Sequence, residues 1–336
     1  MKNFIKIILF FLVIIISILV AVILSFNLPY STGSNKKIVY ITYGSGLKKI
    51  AAQLKENKVI RNKFLFEIYM IFKKKYKEIK AGEYEFSDSD SMKRVVSKII
   101  KGEMLKHKIV IPEGLDIYDI ADILASEKIV EKEKFLKLVN DKNFIEKLGL
   151  NYNTLEGLLF PDTYYFVIGE GEEKVIITMF EKFKKIVNLN LSQRYTINGY
   201  NLNGYSILKL ASIVEKEAKL DDERPIIASV FYNRLKSPEP YQRKLESCAT
   251  VRYALNKKTG PLTFKDLEAN SKYNTYKIIG LPPSPICNPG LKSIQAVLHP
   301  ANTNYLYFVV KNNGSHSFST NFEDHIKNKI LRKHGK

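Results

Sequence analysis

The feature that most constrains this chain is an apolar run close to its amino terminus. From Ile7 to Phe26 nearly every position is apolar, and a run of about 20 residues matches the hydrocarbon thickness of a bilayer. A cleaved signal peptide has a shorter apolar region and a small-x-small cleavage site, and the sequence shows neither. We therefore predict an uncleaved membrane anchor. Its predicted segments are a cytoplasmic tail (1–6), a transmembrane helix (7–28) and a linker (29–37).

The orientation and the charge of the chain together limit its partners. A tail of only a few residues favours an amino terminus in the cytoplasm, with the rest of the chain on the outer side of the cytoplasmic membrane. The formal net charge of +19 implies an acidic partner, which could be nucleic acid, anionic lipid or an anionic cell-wall polymer. The extracytoplasmic placement and the lack of an RRM, KH or zinc-finger pattern argue against nucleic acid. A single-pass membrane protein that acts at the cell wall is the expectation.

An internal repeat with an offset of 70 residues follows the linker. In each copy a β-like run leads through a glycine turn, at Gly44 and at Gly114, into a helix with apolar positions at helical spacing. A second helix is expected in each copy, over 63–76 and 132–140. The pattern predicts a duplicated α+β module over 38–145, similar in layout to a LysM-type glycan-binding module. A plain α+β spacer between the membrane and the rest of the chain explains the same pattern.

A helix that ends in two carboxylates lies near the middle of the chain. From Ile207 to Ala218 apolar residues recur on one helical face. Glu215 and Glu217 lie two positions apart, which separates them by roughly 200° around the helix axis. Glu217 lies nearer the apolar face, where burial raises a carboxyl pKa towards the value of about 6 that a general acid needs. The alternative is an ordinary amphipathic helix with a solvated Glu-Lys-Glu end.

An upstream stretch could supply a cleft wall. In 155–164, glycine and proline punctuate an apolar and aromatic run that carries Glu156 and Asp162. By itself this stretch is only a buried loop. Placed about fifty residues before the Glu217 helix, it could bring two acidic groups to the same cleft.

A downstream loop could supply contacts to sugars. The segment 269–290 is dense in proline and glycine, and its Asn and Tyr side chains, including Asn274 and Tyr276, suit hydrogen bonding and stacking of sugars. A hairpin with its turn at 312–314 is expected to follow, and it leads into His316.

Other chemistries have little support in the sequence. There is no Gly-x-Ser-x-Gly elbow, which lowers the odds of a serine hydrolase. His316 and His325 do not have zinc-site spacing and no His-Glu-x-x-His occurs, so we expect no metal and no other cofactor. The two cysteines, Cys248 and Cys287, could pair outside the cytoplasm or stay free.

Ten short motifs occur in one order along nearly the whole chain. They are Lys-Ala-Gly-Glu-Tyr (80–84), Glu-Gly-x-x-x-Pro-Asp-Thr (156–163), Ala-Ser-Ile-Val-Glu-Lys-Glu (211–217), Ser-Val-Phe-Tyr-Asn-Arg-Leu (229–235), Tyr-Asn-Thr-Tyr (273–276), Gly-Leu-Pro-Pro (280–283), Pro-Gly (289–290), His-Pro (299–300), Tyr-Leu-Tyr-Phe (305–308) and His-Ser-Phe (316–318). Together with the apolar anchor, this set resembles the endolytic murein transglycosylase family, also called YceG-like. One departure lies at Cys248-Ala249, where family members usually have Asp-Pro.

The resemblance implies a bacterial enzyme of the cytoplasmic membrane that cuts nascent peptidoglycan strands internally and so ends strand elongation. It implies an α+β catalytic domain over 146–336, with Glu217 as the catalytic residue. Peptidoglycan synthases of the elongation or division machinery are possible partners. The predicted substrate-binding residues are Glu156, Asp162, Glu215, Asn233, Asn274, Tyr276 and His316.

The expected mechanism follows from one well-placed acid. Glu217 would protonate the glycosidic oxygen between N-acetylmuramic acid and N-acetylglucosamine. Its carboxylate would then accept a proton from the C6 hydroxyl of the N-acetylmuramic acid. The C6 oxygen bonds to C1 of the same sugar and leaves a 1,6-anhydro end. Two alternatives stay open. One is an inactive membrane-tethered glycan-binding scaffold, and the other is a hydrolase that pairs Glu217 with Glu156, Asp162 or Glu246.

Overall fold

The computed structural model describes Lys2–Lys333, a mixed α and β chain, as the sequence predicted. Met1 of the predicted tail and 334–336 of the predicted catalytic domain lie outside the described residues. The chain forms two compact units. The first comprises the chain through His107 with Tyr165–Gly169, and the second comprises Lys108–Tyr164 and the chain from Glu170 onwards. The functional division into 38–145 and 146–336 stays a prediction.

The first unit begins with helix α1 (Lys2–Asn27). Within the described chain, the Phe4–Asn27 segment of α1 is the one helix long and apolar enough to cross a membrane. A signal sequence shares this length and composition, so membrane location and orientation stay predictions.

The rest of the first unit packs three α-helices against one two-stranded antiparallel sheet. Strand β1 (Lys36–Ile41) pairs antiparallel with β2 (Gly82–Ser87), with Lys36 opposite Ser87. The helices are α2 (Leu47–Glu56), α3 (Lys63–Phe72) and α4 (Met92–Lys101). Their shared core contains Ile50, Leu54, Phe66, Met70, Tyr84, Phe86, Val95 and Ile99.

The two copies of the 70-residue sequence pattern contain similar elements. The second copy begins with β3 (His107–Val110), α5 (Ile117–Ser126) and α6 (Lys132–Leu138), which match β1, α2 and α3 in order. Gly44 and Gly114 both have a positive φ, of 75° and 80°, as turn glycines do. Lys58 and Lys128, also 70 positions apart, have φ values of 57° and 59°. The φ values at equivalent positions of the two copies thus differ by 5° or less.

The remaining elements belong to the later part of the chain. They are α7 (Lys142–Lys147), β4 (Thr163–Phe166), α8 (Glu172–Val187), β5 (Arg194–Ile197), β6 (Tyr200–Asn203), α9 (Gly204–Glu217), α10 (Arg224–Lys236), α11 (Cys248–Ala254), α12 (Phe264–Leu267), α13 (Leu291–Leu298), β7 (Tyr307–Val310), β8 (His316–Ser319) and α14 (Phe322–Lys333). Strand β3 pairs with β4, β5 with β6, and β7 with β8. The predicted carboxyl-terminal hairpin is therefore confirmed.

Helix α9 is the centre of the second unit and packs against α10, α11 and α13. It begins where the Asn203 side chain accepts a hydrogen bond from the Ser206 N–H, at 2.8 Å. The chain passes so close at Gly204 that a Cβ there would lie 2.2 Å from the Asn190 carbonyl oxygen. The helix ends at Glu217 because Ala218 is already extended. This fixed helix carries the two carboxylates that the sequence singled out.

Candidate active site

A cleft of about 330 Å³ opens at the carboxyl end of α9. Helices α9, α10 and α14, the loop before α11 and both strands of the β7–β8 hairpin contribute to its walls. Among its lining residues are Glu217, Glu246, Cys248, Tyr276, Tyr307 and His316. Three of the predicted site residues, Glu217, Tyr276 and His316, are thus brought together.

The Glu217 carboxyl group is hydrogen-bonded and has no lysine or arginine partner among the described residues. Its Oε1 atom accepts a hydrogen bond from the Ser247 hydroxyl at 2.5 Å, and its carboxylate also accepts from the Ala249 N–H. Burial raises the pKa of Glu217, and the hydrogen bond from Ser247 and the nearby His316 offset only part of that rise. Within Lys2–Lys333, no Lys or Arg forms an ion pair with this carboxyl group. A raised pKa and the position in the cleft suit Glu217 to the role of a general acid.

Glu246 is the other carboxylate in the described lining of the cleft, and its charge is already compensated. The Nη2 atom of Arg234 donates to Glu246 Oε2 at 2.5 Å. An ion pair of this kind stabilises the ionised carboxylate. The two cleft carboxylates thus differ in kind, since one is paired with a cation and the other is not.

His316 is fixed by a glutamate from the start of α10. Glu223 accepts from the His316 backbone N–H at 2.8 Å, and its other oxygen lies 2.6 Å from His316 Nδ1. The ring of Phe308 packs against the imidazole at 84°, with centroids 5.4 Å apart. Sequence reasoning missed Glu223, because 93 residues separate it from His316 and no local pattern links them.

Tyr276 and Cys248 meet at the wall of the cleft. The Tyr276 hydroxyl lies 3.2 Å from Cys248 Sγ, and burial raises the pKa of Tyr276, which keeps the phenol protonated. Cys248 and Cys287 are both free, so the possible disulfide is not formed. Cys287 is buried, and its thiol donates to the Ser212 carbonyl oxygen at 3.3 Å.

Glu215 lies outside the cleft lining, in a buried ion pair. Its Oε1 atom is 3.2 Å from Arg224 Nη1, and its other oxygen accepts from the Gly290 N–H at 3.0 Å. Only 7% of the Glu215 side chain is exposed. The helical spacing predicted that Glu215 lies farther from the apolar face of α9 than Glu217. In the structure, Arg224 and the loop at Gly290 cover the face that carries Glu215. The solvated Glu-Lys-Glu end is therefore not what the structure contains.

Glu156 is fully buried and also lies outside the cleft lining. It accepts hydrogen bonds from the Ile117 N–H, the Tyr253 hydroxyl and the Asn288 amide, at 3.1–3.2 Å. Burial, and then the charge of Asp116, raise the pKa of Glu156 to about 8. The contacts of Glu156 indicate a structural tie between loops.

Three more predicted substrate-binding residues make internal contacts. Asp162 forms an ion pair with Lys182 at 2.5 Å, and the hydrogen bond from Lys182 lowers the pKa of Asp162. The Asn233 amide donates to the carbonyl oxygens of the chain before β7, and the Asn274 amide donates to those of its own loop. None of the three is among the residues that line the cleft. Their predicted contact with substrate has no support from their positions.

The described residues contain no group of three or more His, Cys, Asp or Glu side chains that could hold a metal ion. That no metal takes part stays a prediction.

Comparison with known proteins gives one consistent family. The YceG-like family matches residues 39–330. An endolytic murein transglycosylase of Bacillus subtilis is 34% identical over 310 residues, which cover 87% of this chain and 83% of that protein. An endolytic murein transglycosylase of Streptococcus pneumoniae is 30% identical over 335 residues, and the match spans 59% of its length. The crystal structure of a YceG-like protein from Listeria monocytogenes, 33% identical, superposes with a TM-score of 0.58 over 88% of this chain and 99% of that one.

Proposed function

Because this chain belongs to the YceG-like family, we propose that it is an endolytic murein transglycosylase of the bacterial cytoplasmic membrane. Its substrate would be the nascent glycan strand of peptidoglycan, cut between N-acetylmuramic acid and N-acetylglucosamine. Internal cuts would end the elongation of a strand and leave 1,6-anhydro ends.

The observation that carries this proposal is the asymmetry between the two cleft carboxylates. Glu217 has a raised pKa and forms no ion pair with a Lys or Arg among the described residues, whereas Glu246 is paired with Arg234. A single proton-bearing carboxyl group is what intramolecular cleavage of the glycosidic bond requires. A hydrolase with two working carboxylates would need a second, unpaired one to activate water.

Glu217 performs both proton transfers in this mechanism. It protonates the glycosidic oxygen as the bond to C1 breaks, and the N-acetylglucosamine part leaves with a new hydroxyl group. The C6 hydroxyl of the muramic acid then attacks C1 and gives its proton to the Glu217 carboxylate, which restores the acid. The nucleophile belongs to the sugar, so its attack gains the advantage of an intramolecular reaction. The Ser247 hydroxyl holds the Glu217 carboxyl group in place between the two steps.

The residues before the catalytic domain would position this cleft near its substrate. Helix α1 is proposed as a single-pass anchor with a cytoplasmic amino terminus, which places the later residues at the cell wall. The duplicated pattern over 38–145 is proposed as a LysM-like module that contacts glycan, with 146–336 as the catalytic domain. Peptidoglycan synthases are proposed partners because the substrate is a strand under synthesis.

The test is digestion of purified glycan strands by the full chain in detergent. An endolytic enzyme should release fragments of several disaccharides early in the reaction. A steady stream of single disaccharides would indicate trimming from an end. No cleavage by a folded protein would mean a binding scaffold and would overturn the proposal.

A further inference from the structure

Helix α3 in the first unit is apolar on two opposite faces. One face, which includes Phe66 and Met70, is buried in the core. The other face consists of Phe64, Ile68, Ile71 and Phe72, whose exposed fractions are 63%, 60%, 58% and 80%. Their i, i+4, i+7, i+8 spacing aligns them in one stripe along the helix. We call these four residues the outer stripe.

The outer stripe is unusual for a surface in water. A surface helix normally turns charged and polar side chains outward, yet only Lys63 and Glu67 are charged among the ten residues of α3. Four large apolar side chains in one continuous exposed stripe mark a binding surface. The remaining question is what covers it.

Contacts with the end of the anchor helix locate α3. The Tyr69 and Phe26 rings pack with centroids 4.9 Å apart, and Arg61 Nη2 donates to the Tyr30 carbonyl oxygen at 3.1 Å. From Arg61, just before α3, to Tyr69 within it, the contacted residues therefore run from Tyr30 back to Phe26 in the last turn of α1. The carboxyl end of α3, where Phe72 lies, thus points to the membrane side of that junction.

A basic segment follows the outer stripe at this end. Lys73, Lys74 and Lys77 are exposed, while Lys75 forms an ion pair with Glu78. The half-exposed Tyr76 lies among them. Lysines beside exposed apolar side chains suit the boundary between anionic lipid headgroups and acyl chains, and tyrosine is enriched at the same depth.

We propose that α3 lies in the surface of the bilayer that α1 spans, with the outer stripe among the acyl chains and Lys73, Lys74 and Lys77 at anionic headgroups. The proposal rests on the proposed membrane anchor. Lipid is the occupant that the geometry favours, because α3 touches the last turn of a helix that lipid must surround. The outer stripe would then fix the tilt of the first unit on the membrane.

The absence of tryptophan from the natural sequence gives a clean test. In Phe72→Trp the single indole reports on its own depth when the full chain is reconstituted into phosphatidylcholine–phosphatidylglycerol vesicles with bromine on the acyl chains. We expect bromine to reduce its fluorescence by about twofold or more, because interfacial helices bury their apolar face at bromine depth.

Two further variants make the result specific. Tyr43→Trp is the exposed control, since Tyr43 is 92% exposed in the same unit. Tyr43 lies two residues past the end of β1, so about 20 Å of extended chain separates it from Lys36. Its fluorescence should stay unquenched. Val13→Trp, in the middle of α1, should be quenched and reports on the anchor alone.

The outcomes separate this inference from the proposed anchor. If Val13→Trp is quenched and Phe72→Trp is not, the anchor stands and the lipid contact of α3 is wrong. If a protein partner covers the outer stripe instead of lipid, Phe72→Trp should likewise stay unquenched in vesicles that contain only lipid and this chain. That outcome would also overturn the inference. If Val13→Trp is not quenched, the membrane anchor itself fails, and the placement of α3 fails with it.

Discussion

At the scale of single residues, Glu215 and Glu217 acquire different chemistry from their partners. Both lie in the last turn of α9, Glu215 with a buried side chain and Glu217 at the wall of the cleft. Glu215 faces the Arg224 guanidinium at 3.2 Å, whereas Glu217 faces a hydroxyl group and a backbone amide. A cation stabilises a carboxylate, and neutral donors in a partly dry site compensate burial less completely. Burial therefore raises the pKa of Glu217 above its ordinary value.

This difference predicts opposite results for two matched substitutions. Glu217→Gln keeps the shape and removes the transferable proton, so the rate of glycan cleavage should fall by about 10²–10⁴-fold with little change in stability. Glu215→Gln removes one of the two carboxylates that pair with the buried Arg224 and leaves only Asp221. It should therefore lower the free energy of unfolding by less than about 3–5 kcal/mol, the cost of a fully unpaired buried charge. At temperatures where it is folded, Glu215→Gln should still cleave. Cleavage rates and thermal unfolding of both variants provide the check, and a folded but inactive Glu215→Gln would contradict it.

Glu156 predicts a pH dependence of stability. Its pKa is about 8 in the folded protein and 4.5 ordinarily, so the folded state retains a proton that the unfolded chain releases. This contribution is fully present below about pH 4.5 and is lost as the pH rises to about 8. Its slope is at most about 1.4 kcal/mol per pH unit.

The comparison is between the wild type and Glu156→Gln, by denaturant unfolding of the full chain in detergent from about pH 5 to about pH 8. The wild type should lose stability relative to the variant across this range. Parallel curves would mean that Glu156 is already ionised in the folded state.

At the scale of elements, the amide of Asn233 ties α10 to the chain before β7. It donates to the Thr303 and Tyr305 carbonyl oxygens at 2.7 and 3.0 Å. Strand β7 carries Tyr307 and Phe308 into the cleft. Asn233 therefore helps to position β7 in the wall of the cleft and need not touch the substrate.

Asn233→Ala should lower the free energy of unfolding by about 1–3 kcal/mol, since two hydrogen bonds of about 0.5–1.5 kcal/mol each are lost. It should also raise KM more than it lowers kcat, because β7 is less firmly held. Asn140→Ala is the control, because Asn140 is exposed and bonds only within its own turn. The control should stay within about 0.5 kcal/mol of the wild type. Equal effects of the two substitutions would refute this role for Asn233.

How far the sequence predicts this structure depends on how local each interaction is. The turns at Gly44 and Gly114, α9 and the β7–β8 hairpin follow from patterns within a few residues, and all were predicted. The hydrogen bonds of Glu223 to His316 join residues 93 positions apart, and the ion pair of Glu246 with Arg234 spans 12 positions with no regular period between them. No period or motif encodes such pairs. For the same reason the sequence could not separate Glu217 in the cleft from Glu156 and Asp162 outside it.

At the scale of the whole molecule, the proposed anchor α1 would set the compartment in which the cleft works. If α1 is an uncleaved anchor with its amino terminus in the cytoplasm, a reporter fused after Lys336 should behave as extracytoplasmic. The fusion should also stay in the membrane fraction at its full mass. A cytoplasmic reporter, or a soluble product shortened at its amino terminus, would contradict this topology.

The central claim is that one carboxyl group, Glu217, cleaves the glycan with the sugar's own C6 hydroxyl as the nucleophile. The most direct measurement is mass spectrometry of the products formed by the full chain in H₂¹⁸O. This account predicts 1,6-anhydro-N-acetylmuramic acid ends that carry no ¹⁸O at C1. Labelled reducing ends as the main product would show that water is the nucleophile, and would contradict the claim even if Glu217 proved essential.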